Sequence, residues 1–270
     1  MSRPTRYRAV LAYVGTDFHG WQAQSNVSRT VQAVLERALS GLAGGPVRAQ
    51  AAGRTDAGVH ADGQVVHFDL PTARDPARVC DGVNARLPRD VRLLEAAFAA
   101  SDFHARRDAV WKEYLYRWSR APVIPPRDAL FVAPICAGAD PSAMQTSAEA
   151  LPGRRDFAVF GVRRRSAEST VRTIHFVRVA EAGDEIHALF RGDGFLRGMV
   201  RSACGVLAEV ARGRVPASRL RDLLETGDRR LLRQKALPYG LTLLRVHYGD
   251  SPSALSRQLS ARRGTRTGNG

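Results

Sequence analysis

One short stretch of the chain combines chemically active side chains with glycines on both sides. The sequence GRTDAG places Arg54, Thr55 and Asp56 between Gly53 and Gly58. An arginine two residues from a carboxylate is near enough to hold it ionised and oriented. The glycines would let a substrate approach the backbone closely. The stretch therefore marks Asp56 as a candidate catalytic residue, with Arg54 as its candidate partner.

Simpler interpretations compete with this one. An aspartate in a turn often hydrogen-bonds its own backbone, and spacing alone favours that role for Asp56. Arg54 could likewise form a surface salt bridge that contributes little. The position of the stretch between two strand-like runs argues for function, because catalytic groups are commonly placed on loops that a rigid scaffold positions.

The elements around this stretch predict an N-terminal half over residues 1–105. Their order, βαββαβ, is that of a ferredoxin-like fold. The predicted elements are a strand over 7–14, a helix over 28–42 capped by Ser28, strands over 47–52 and 64–70, a helix capped by Asp75 with Pro76 in its first turn, and a strand over 91–99.

Residues 106–249 predict a second half with the same element order, in which an extended, proline-rich connection over 120–139 joins the first strand to the first helix. We therefore expect an α+β fold of two ferredoxin-like halves, whose antiparallel sheets flank a central catalytic cleft. Residues 250–270 are basic and rich in Gly and Ser, which predicts a disordered tail. The elements of the second half are strands over 109–119 and 241–248, two strands within 169–192 that turn at Gly183 and Asp184, and helices over 140–151, 194–213 and 218–226.

Composition favours a globular protein with a polyanionic partner. The chain has 270 residues, of which 44% are hydrophobic, enough to bury a core in one large domain or two smaller ones. It carries 41 Lys and Arg against 26 Asp and Glu, a formal net charge of +15. Such a charge attracts nucleic acid, although a basic surface typical of an arginine-rich proteome is the alternative.

The cysteines and the apolar segments bear on the cellular compartment. Cys80, Cys136 and Cys204 lie far apart without a CxxC pair, which predicts buried thiols in a reducing environment. No apolar stretch is long enough to span a membrane, and the N-terminus has no apolar signal core. We therefore expect a cytoplasmic protein without a membrane partner.

Several motifs together resemble the tRNA pseudouridine synthases of the TruA type, the tRNA pseudouridine(38–40) synthase family. The resemblance runs from about residue 7 to about residue 249, so it covers nearly the whole chain. The stretch GRTDAGVHADGQVVHF is long and highly specific for the family. The other similar stretches, in the family's order, are YVGTDFHGWQAQ, DGVNARLPRDVRL, DFHARRDAVWKEYLYR, STVRTI, GFLRGMVRSACGVLAEVARGR and GLTLLRVHY.

The resemblance implies isomerisation of uridine to pseudouridine in tRNA, at anticodon stem-loop positions 38–40. Asp56 would be the nucleophile, through addition to C6 of uracil or capture of the ribose at C1′. The family's reaction needs no metal, redox cofactor or ATP. A homodimer is also implied, since one basic cleft would need a second subunit to grip the rest of the tRNA.

The same resemblance assigns roles to three substrate-binding residues. Arg54 would help to displace the target base and would pair with Asp56. Tyr114 would contact the extruded nucleotide, for which an aromatic wall suits stacking, although a core aromatic on a strand is the competing interpretation. Arg201 lies in an apolar helix and needs an anionic partner. We predict that it faces Asp56 within about 6 Å.

The chain departs from the family pattern at three places. The family usually carries Asp where this chain has Val14, and Tyr where it has Thr242. Before Met-Val-Arg the family usually carries a bulky aromatic or His, where this chain has Arg197 and Gly198. These departures concern the substrate pocket and permit a rival function, a diverged paralogue that forms a C-nucleoside from a free nucleotide. A second rival is a non-catalytic RNA-binding protein. The high net charge argues mildly against the first rival, and the intact Asp56 and Arg54 argue against the second.

Overall fold

The computed structural model describes residues 4–24, 29–161, 169–232 and 234–249. In these ranges the chain folds as mixed α and β structure around one large sheet. Its strands are β1 (Thr5–Tyr13), β2 (Ala49–Ala51), β3 (His60–Leu70), β4 (Val91–Phe98), β5 (Ala109–Ser119), β6 (Ala133–Pro134), β7 (Gly153–Asp156), β8 (Val171–Ala182), β9 (Glu185–Gly192) and β10 (Leu241–Tyr248). Its α-helices are α1 (Val31–Ala43), α2 (Pro76–Asn84), α3 (Pro126–Ala129), α4 (Pro141–Ala148), α5 (Met199–Ala211) and α6 (Arg219–Thr226), and short 3₁₀ turns cover Arg229–Leu231 and Pro238–Gly240.

The sheet is continuous and mostly antiparallel. Its main order is β4-β1-β3-β10-β5-β9-β8-β7, with β2 paired to β3 and β6 paired to β5. The two parallel pairs among the described strands are β3 with β10 and β5 with β6. The first of them joins the early strands of the chain to the late ones, through Thr242 opposite His60 and Leu243 opposite Ala61.

A large hydrophobic core packs the helices against one face of this sheet. Leu35 and Leu39 of α1 and Val79 of α2 are fully buried in it, as are Leu207 of α5 and Leu220 of α6. Strand residues alternate into the same core, among them Tyr114, Tyr116 and Trp118 of β5. Alternation is what places every second side chain of a strand on the covered face.

Most predicted elements are found, and some of their ends move. One predicted cap is confirmed: Asp75 Oδ1 accepts from the Ala77 and Arg78 N–H groups. Asp140, the first residue of the helix predicted over 140–151, is also an N-cap, because its Oδ1 accepts from Ser142 N–H. The helix predicted from residue 194 begins only at Met199, because Gly198 adopts φ 74° and is its N-cap. β3 begins at His60 instead of residue 64, because β1 and β10 both pair with its first residues.

Other predictions need correction or fall outside the described residues. The connection over 120–139, predicted as extended, contains α3 and β6, and β7 was not predicted. Thr30 caps α1, accepting from Ala33 N–H at 3.3 Å; the predicted cap Ser28 and the tail from residue 250 lie outside the described residues.

Cys204 is buried, but Cys80 is half-buried and Cys136 exposed, so the prediction of three buried thiols was wrong. No helix in the described ranges is long and apolar enough to cross a membrane.

Candidate active site

The loop between β2 and β3, residues 52–59, carries Asp56, and its first residues are held by side chains from the sheet. The Ala52 carbonyl accepts a hydrogen bond of 2.8 Å from Nζ of Lys112 on β5. The Gly53 carbonyl accepts one of 2.8 Å from Nε2 of Gln64 on β3. Because both acceptors are backbone atoms, these bonds fix the path of the loop and leave its side chains free for other contacts.

The segment after β1 supports the middle of the loop. The Trp21 N–H donates to the Thr55 carbonyl at 3.1 Å, and the Thr55 hydroxyl lies 2.9 Å from the hydroxyl of buried Tyr13. Gly20 has φ 83°, and a Cβ there would lie 2.7 Å from the Thr55 carbonyl oxygen. The glycine is required because both its conformation and its closeness to the loop exclude a side chain.

Two guanidinium groups contact the Asp56 carboxylate. Arg201 Nη1 lies 3.3 Å from Oδ2, and Arg197 Nε lies 3.4 Å from Oδ1. The Arg201 and Asp56 side chains are 18% and 19% exposed, whereas that of Arg197 is 61% exposed. Arg201 is also anchored by donation from Nε to the Ala236 carbonyl at 2.9 Å. The carboxylate is therefore oriented by a fixed cation on one side and a solvent-facing cation on the other.

The segment 234–237, which precedes β10, lies directly against α5 and positions the pair of Arg201 and Asp56. The Ala236 N–H donates to the Arg201 carbonyl at 2.9 Å, so Arg201 and Ala236 exchange two hydrogen bonds. The approach is possible because residue 205 is a glycine: a Cβ on Gly205 would lie 1.9 Å from the Gln234 carbonyl oxygen. The same segment brings Nζ of Lys235 to 2.8 Å from the place where a Cβ on Gly198 would lie.

Tyr114 lies in the core next to this site. Its side chain is 7% exposed, and its ring meets that of Phe195 edge to face, with centroids 5.1 Å apart. Burial raises the pKa of the Tyr114 phenol strongly, and the nearby Tyr13 and Asp56 raise it further. The phenol is therefore protonated at neutral pH and can donate a hydrogen bond.

Lys112 is a buried cation beside the start of the loop. Its pKa is lowered to about 8, mainly by burial and also by Arg106 and Arg172, while Asp193 acts in the opposite direction. Its ammonium donates to the Ala52 carbonyl, as described above, so it supports the backbone that leads into Arg54 and Asp56.

The structure brings together two of the predicted site residues in direct contact. Arg201 and Asp56, 145 residues apart in the chain, form the predicted pair well within 6 Å, so that pairing is confirmed. Tyr114 is near enough for the Asp56 charge to act on its phenol, and it is also the core aromatic of the competing interpretation. Arg54 is exposed on the loop, and its predicted roles in substrate displacement and pairing stay predictions.

Comparison with known proteins identifies the family. The family model for tRNA pseudouridine synthase matches residues 9–106 and 147–249. The chain belongs to the tRNA pseudouridine synthase family. Membership makes it an enzyme of the isomerase class.

Individual tRNA pseudouridine synthases agree over most of their length. A protein of Solidesulfovibrio magneticus is 44% identical over 250 residues, covering 90% of this chain and 91% of its own. One of Nitratidesulfovibrio vulgaris is 38% identical over 290 aligned positions, covering 90% and 96%, and one of Chlamydia trachomatis is 39% identical over 241, covering 88% and 90%. All three are named tRNA pseudouridine synthase A. A solved Cbf5-Nop10-Gar1 complex matches 75% of this chain and 44% of its own at 13% identity, with a TM-score of 0.34, too low for a shared fold to be argued from it.

Sequence reasoning missed three cations at this site of the tRNA pseudouridine synthase. Arg197 was noted only as a departure from the family motif, and its contact with Asp56 depends on where α5 begins. Lys112 sits two residues before Tyr114, a spacing that puts both on the same face of β5. That alternation could have marked Lys112 as a buried lysine. Lys235 carries no local signal, because only the packing of its segment on α5 brings it to the site.

Proposed function

We propose that the chain converts uridine to pseudouridine in tRNA, at positions 38–40 of the anticodon stem-loop, with the Asp56 carboxylate as the nucleophile. The observation that carries this proposal is the contact between Asp56 and Arg201, on a loop whose backbone is held from two strands. A nucleophile must be fixed in direction and still reachable, and an oriented carboxylate that is 19% exposed meets both needs.

The reaction rearranges bonds within one nucleotide. The N1–C1′ bond breaks, the uracil turns over, and a C5–C1′ bond forms; the hydrogen on C5 leaves as a proton and N1 gains a proton. Asp56 would act either by adding to C6 of the ring or by bonding to C1′ as the uracil leaves, and it is released when the new bond is complete. Both routes need the same aimed carboxylate, so the geometry suits each of them.

Tyr114 and Arg54 have separate proposed roles. The Tyr114 ring would form one wall for the extruded base, and its protonated phenol would supply a donor rather than a base at neutral pH. Arg54 is exposed at the edge of the loop, where it would meet RNA before the base reaches the carboxylate. It would then take the place of the base in the stem-loop and orient Asp56.

We also propose that the sheet consists of two ferredoxin-like halves, over residues 1–105 and 106–249, around a catalytic cleft. The support is the strand order, which is fourth-first-third-second in both halves: β4-β1-β3-β2 in the first, and β10-β5-β9-β8 in the second once the short β6 and the outer β7 are left out. The parallel pair of β3 and β10 would then be the seam between the halves, one strand away from Tyr114.

A cytoplasmic homodimer is the assembly we propose for this enzyme. The support is the expected size of the substrate, since a tRNA extends far beyond one stem-loop and a second subunit offers it a further basic surface. The net charge of +15 per chain suits such a partner. Sedimentation of the free protein at micromolar concentration tests the assembly, and a monomer would overturn it.

The function is tested with unmodified tRNA and the purified protein. Wild type should produce pseudouridine at positions 38–40, mapped by sequencing, and should release tritium from tRNA labelled at C5 of uridine. Asp56→Asn keeps the shape of the side chain but removes the nucleophile, so it should bind tRNA and form no product. Asp81→Asn, which changes an exposed carboxylate on α2, is the matched control. Activity of Asp56→Asn within about tenfold of wild type would overturn the assignment.

A further inference from the structure

The charges around Asp56 do not balance. Arg201 and Arg197 both contact its carboxylate, and the ammonium of Lys235 lies beside Gly198, the residue that follows Arg197. Three cations thus gather around one carboxylate. Like charges at short range repel, so such a cluster is held at an energetic cost unless another anion joins it.

Burial and the neighbouring guanidinium groups both lower the pKa of Lys235. Burial lowers the pKa most, which opposes the charged form of the ammonium. The charges that act on it are Asp56, which raises the pKa, and Arg201, Arg229 and Arg197, which lower it. The environment of Lys235 therefore favours the arrival of an anion.

Arg197 is placed to share such an anion. It contacts Asp56 through Nε, and with 61% of its side chain exposed the guanidinium remains open to a ligand. A planar guanidinium matches the oxygens of a phosphate with two parallel donors, and an ammonium beside it adds a point charge. By contrast, Arg201 is largely buried and already holds both Asp56 and the Ala236 carbonyl.

We propose that Arg197 and Lys235 form a subsite for one backbone phosphate of the RNA strand, next to the nucleophile. This rests on the proposed function, because a uridine within tRNA carries a phosphodiester on each side of its ribose. When the ribose reaches Asp56, one of those phosphates must lie near the carboxylate. The two cations would bind it and offset its repulsion of Asp56.

The alternative is that Arg197 and Lys235 only align Asp56. A binding measurement in the Asp56→Asn protein separates the two roles, because that protein has no carboxylate to align. Adding Arg197→Gln and Lys235→Gln should weaken tRNA binding roughly tenfold, as expected for a charged hydrogen bond. The log–log slope of affinity against salt should fall by about 0.7 to 0.9, the value for one phosphate contact. Unchanged affinity and slope would overturn the subsite.

Arg214→Gln in the same background is the matched control. The Arg214 side chain is 60% exposed and its Nη1 lies 3.4 Å from a carboxylate oxygen of Glu209, so it resembles Arg197 in both respects. It lies after the end of α5, far from Gly198 along the helix. Its replacement should leave affinity within about twofold, and a loss as large as that from the combined Arg197→Gln and Lys235→Gln replacements would show general charge loss and overturn a specific subsite.

Replacing one phosphodiester of the tRNA by a neutral linkage identifies which phosphate binds to Arg197 and Lys235. Two tRNAs would each carry one methylphosphonate, on the 5′ or the 3′ side of the target uridine. One of them should bind the Asp56→Asn protein roughly tenfold more weakly than normal tRNA, and should bind the triple variant as well as normal tRNA does. No effect of either linkage, or an equal effect in both proteins, would contradict the proposal. These are binding readouts, so they stand apart from product formation, which tests the proposed function.

Discussion

At the scale of single residues, Arg201 connects the carboxylate to the rest of the molecule. One nitrogen of its guanidinium contacts Asp56 and another donates to the Ala236 carbonyl. A guanidinium has N–H donors on three nitrogens of one rigid plane, so it can hold both partners at once. The direction of Asp56 therefore depends on the segment before β10 as well as on its own loop.

Replacing Arg201 tests this arrangement. Arg201→Ala should lower the single-turnover rate by about a hundredfold or more, since the carboxylate loses its fixed partner. Arg201→Lys should restore only part of the rate, because an ammonium cannot make the two contacts in one plane. Thermal unfolding of both variants controls for loss of fold. A lysine variant as fast as wild type would contradict the two-contact role.

The lowered pKa of Lys112 predicts that the stability of the protein depends on pH. Its pKa is about 8 in the folded protein because of burial, against 10.5 ordinarily, so between these values the unfolded chain holds a proton that the folded protein has lost. The contribution of Lys112 to the free energy of unfolding should therefore rise with pH above about 8, by up to about 1.4 kcal/mol per pH unit. Denaturant titrations from pH 8 to 10 measure this contribution as the difference between wild type and Lys112→Met, because Cys80 and Cys204, whose thiol pKa values are raised by burial, lower stability over the same range in both proteins.

Lys112→Met is the control for that experiment. Methionine fills similar volume without a titrating group, so the rise with pH should vanish in this variant. Parallel curves for the variant and wild type would contradict the assignment of the rise to Lys112. The Ala52 carbonyl loses its donor in the variant, so a loss of overall stability at every pH is expected as well.

At the scale of elements, the site depends on the contact between α5 and the segment 234–237. Gly205 lies in the middle of α5, where glycine is ordinarily unfavourable. Its place is explained by the Gln234 carbonyl oxygen, which would lie 1.9 Å from any Cβ at that position. Glycine thus allows the backbone to approach the helix and to carry Lys235 and Ala236 to the site.

Gly205→Ala should disturb both stability and activity. The added methyl group forces the segment away from α5, which should lower the free energy of unfolding by about 1 to 3 kcal/mol, as overpacking commonly does. It should also reduce the single-turnover rate, because the Ala236 carbonyl that anchors Arg201 moves with the segment. Gly138→Ala is the control, since nothing lies within 4 Å of a Cβ there. Equal behaviour of the two variants would contradict this account.

At the scale of the whole molecule, the continuous sheet brings together at one site residues that are distant in the chain. Asp56 precedes β3, Tyr114 lies on β5, and β10 lies between these two strands. Arg201 reaches the same place from α5, which packs on the covered face of the sheet. The net charge of +15 is a property at this scale too, and it argues against the rival that acts on a free nucleotide.

Binding to tRNA should be strongly electrostatic. Affinity should fall steeply between low and moderate salt, with a log–log slope of several units, because many phosphates would lie against basic side chains. The measurement is equilibrium binding at a series of salt concentrations, with free UMP tested as a substrate in parallel. A flat salt dependence together with turnover of UMP would favour the rival that acts on a free nucleotide.

The sequence by itself determined the local elements and the family. Several local features were predicted: the α2 cap at Asp75, the turn at Gly183 and Asp184, and the full extents of β5 and β10. They could be predicted because caps, turn residues and strand alternation act within a few neighbouring residues. The contact of Arg201 with Asp56 was also predicted, since a guanidinium on an apolar helix needs an anion. Only the tertiary structure decided that β3 extends back to His60 and that Arg197 and Lys235 join the site. Strand pairing with β10 decides the first, the start of α5 after Gly198 decides the place of Arg197, and packing of residues 234–237 on α5 decides the place of Lys235. Such contacts between distant segments have no signal in the local sequence.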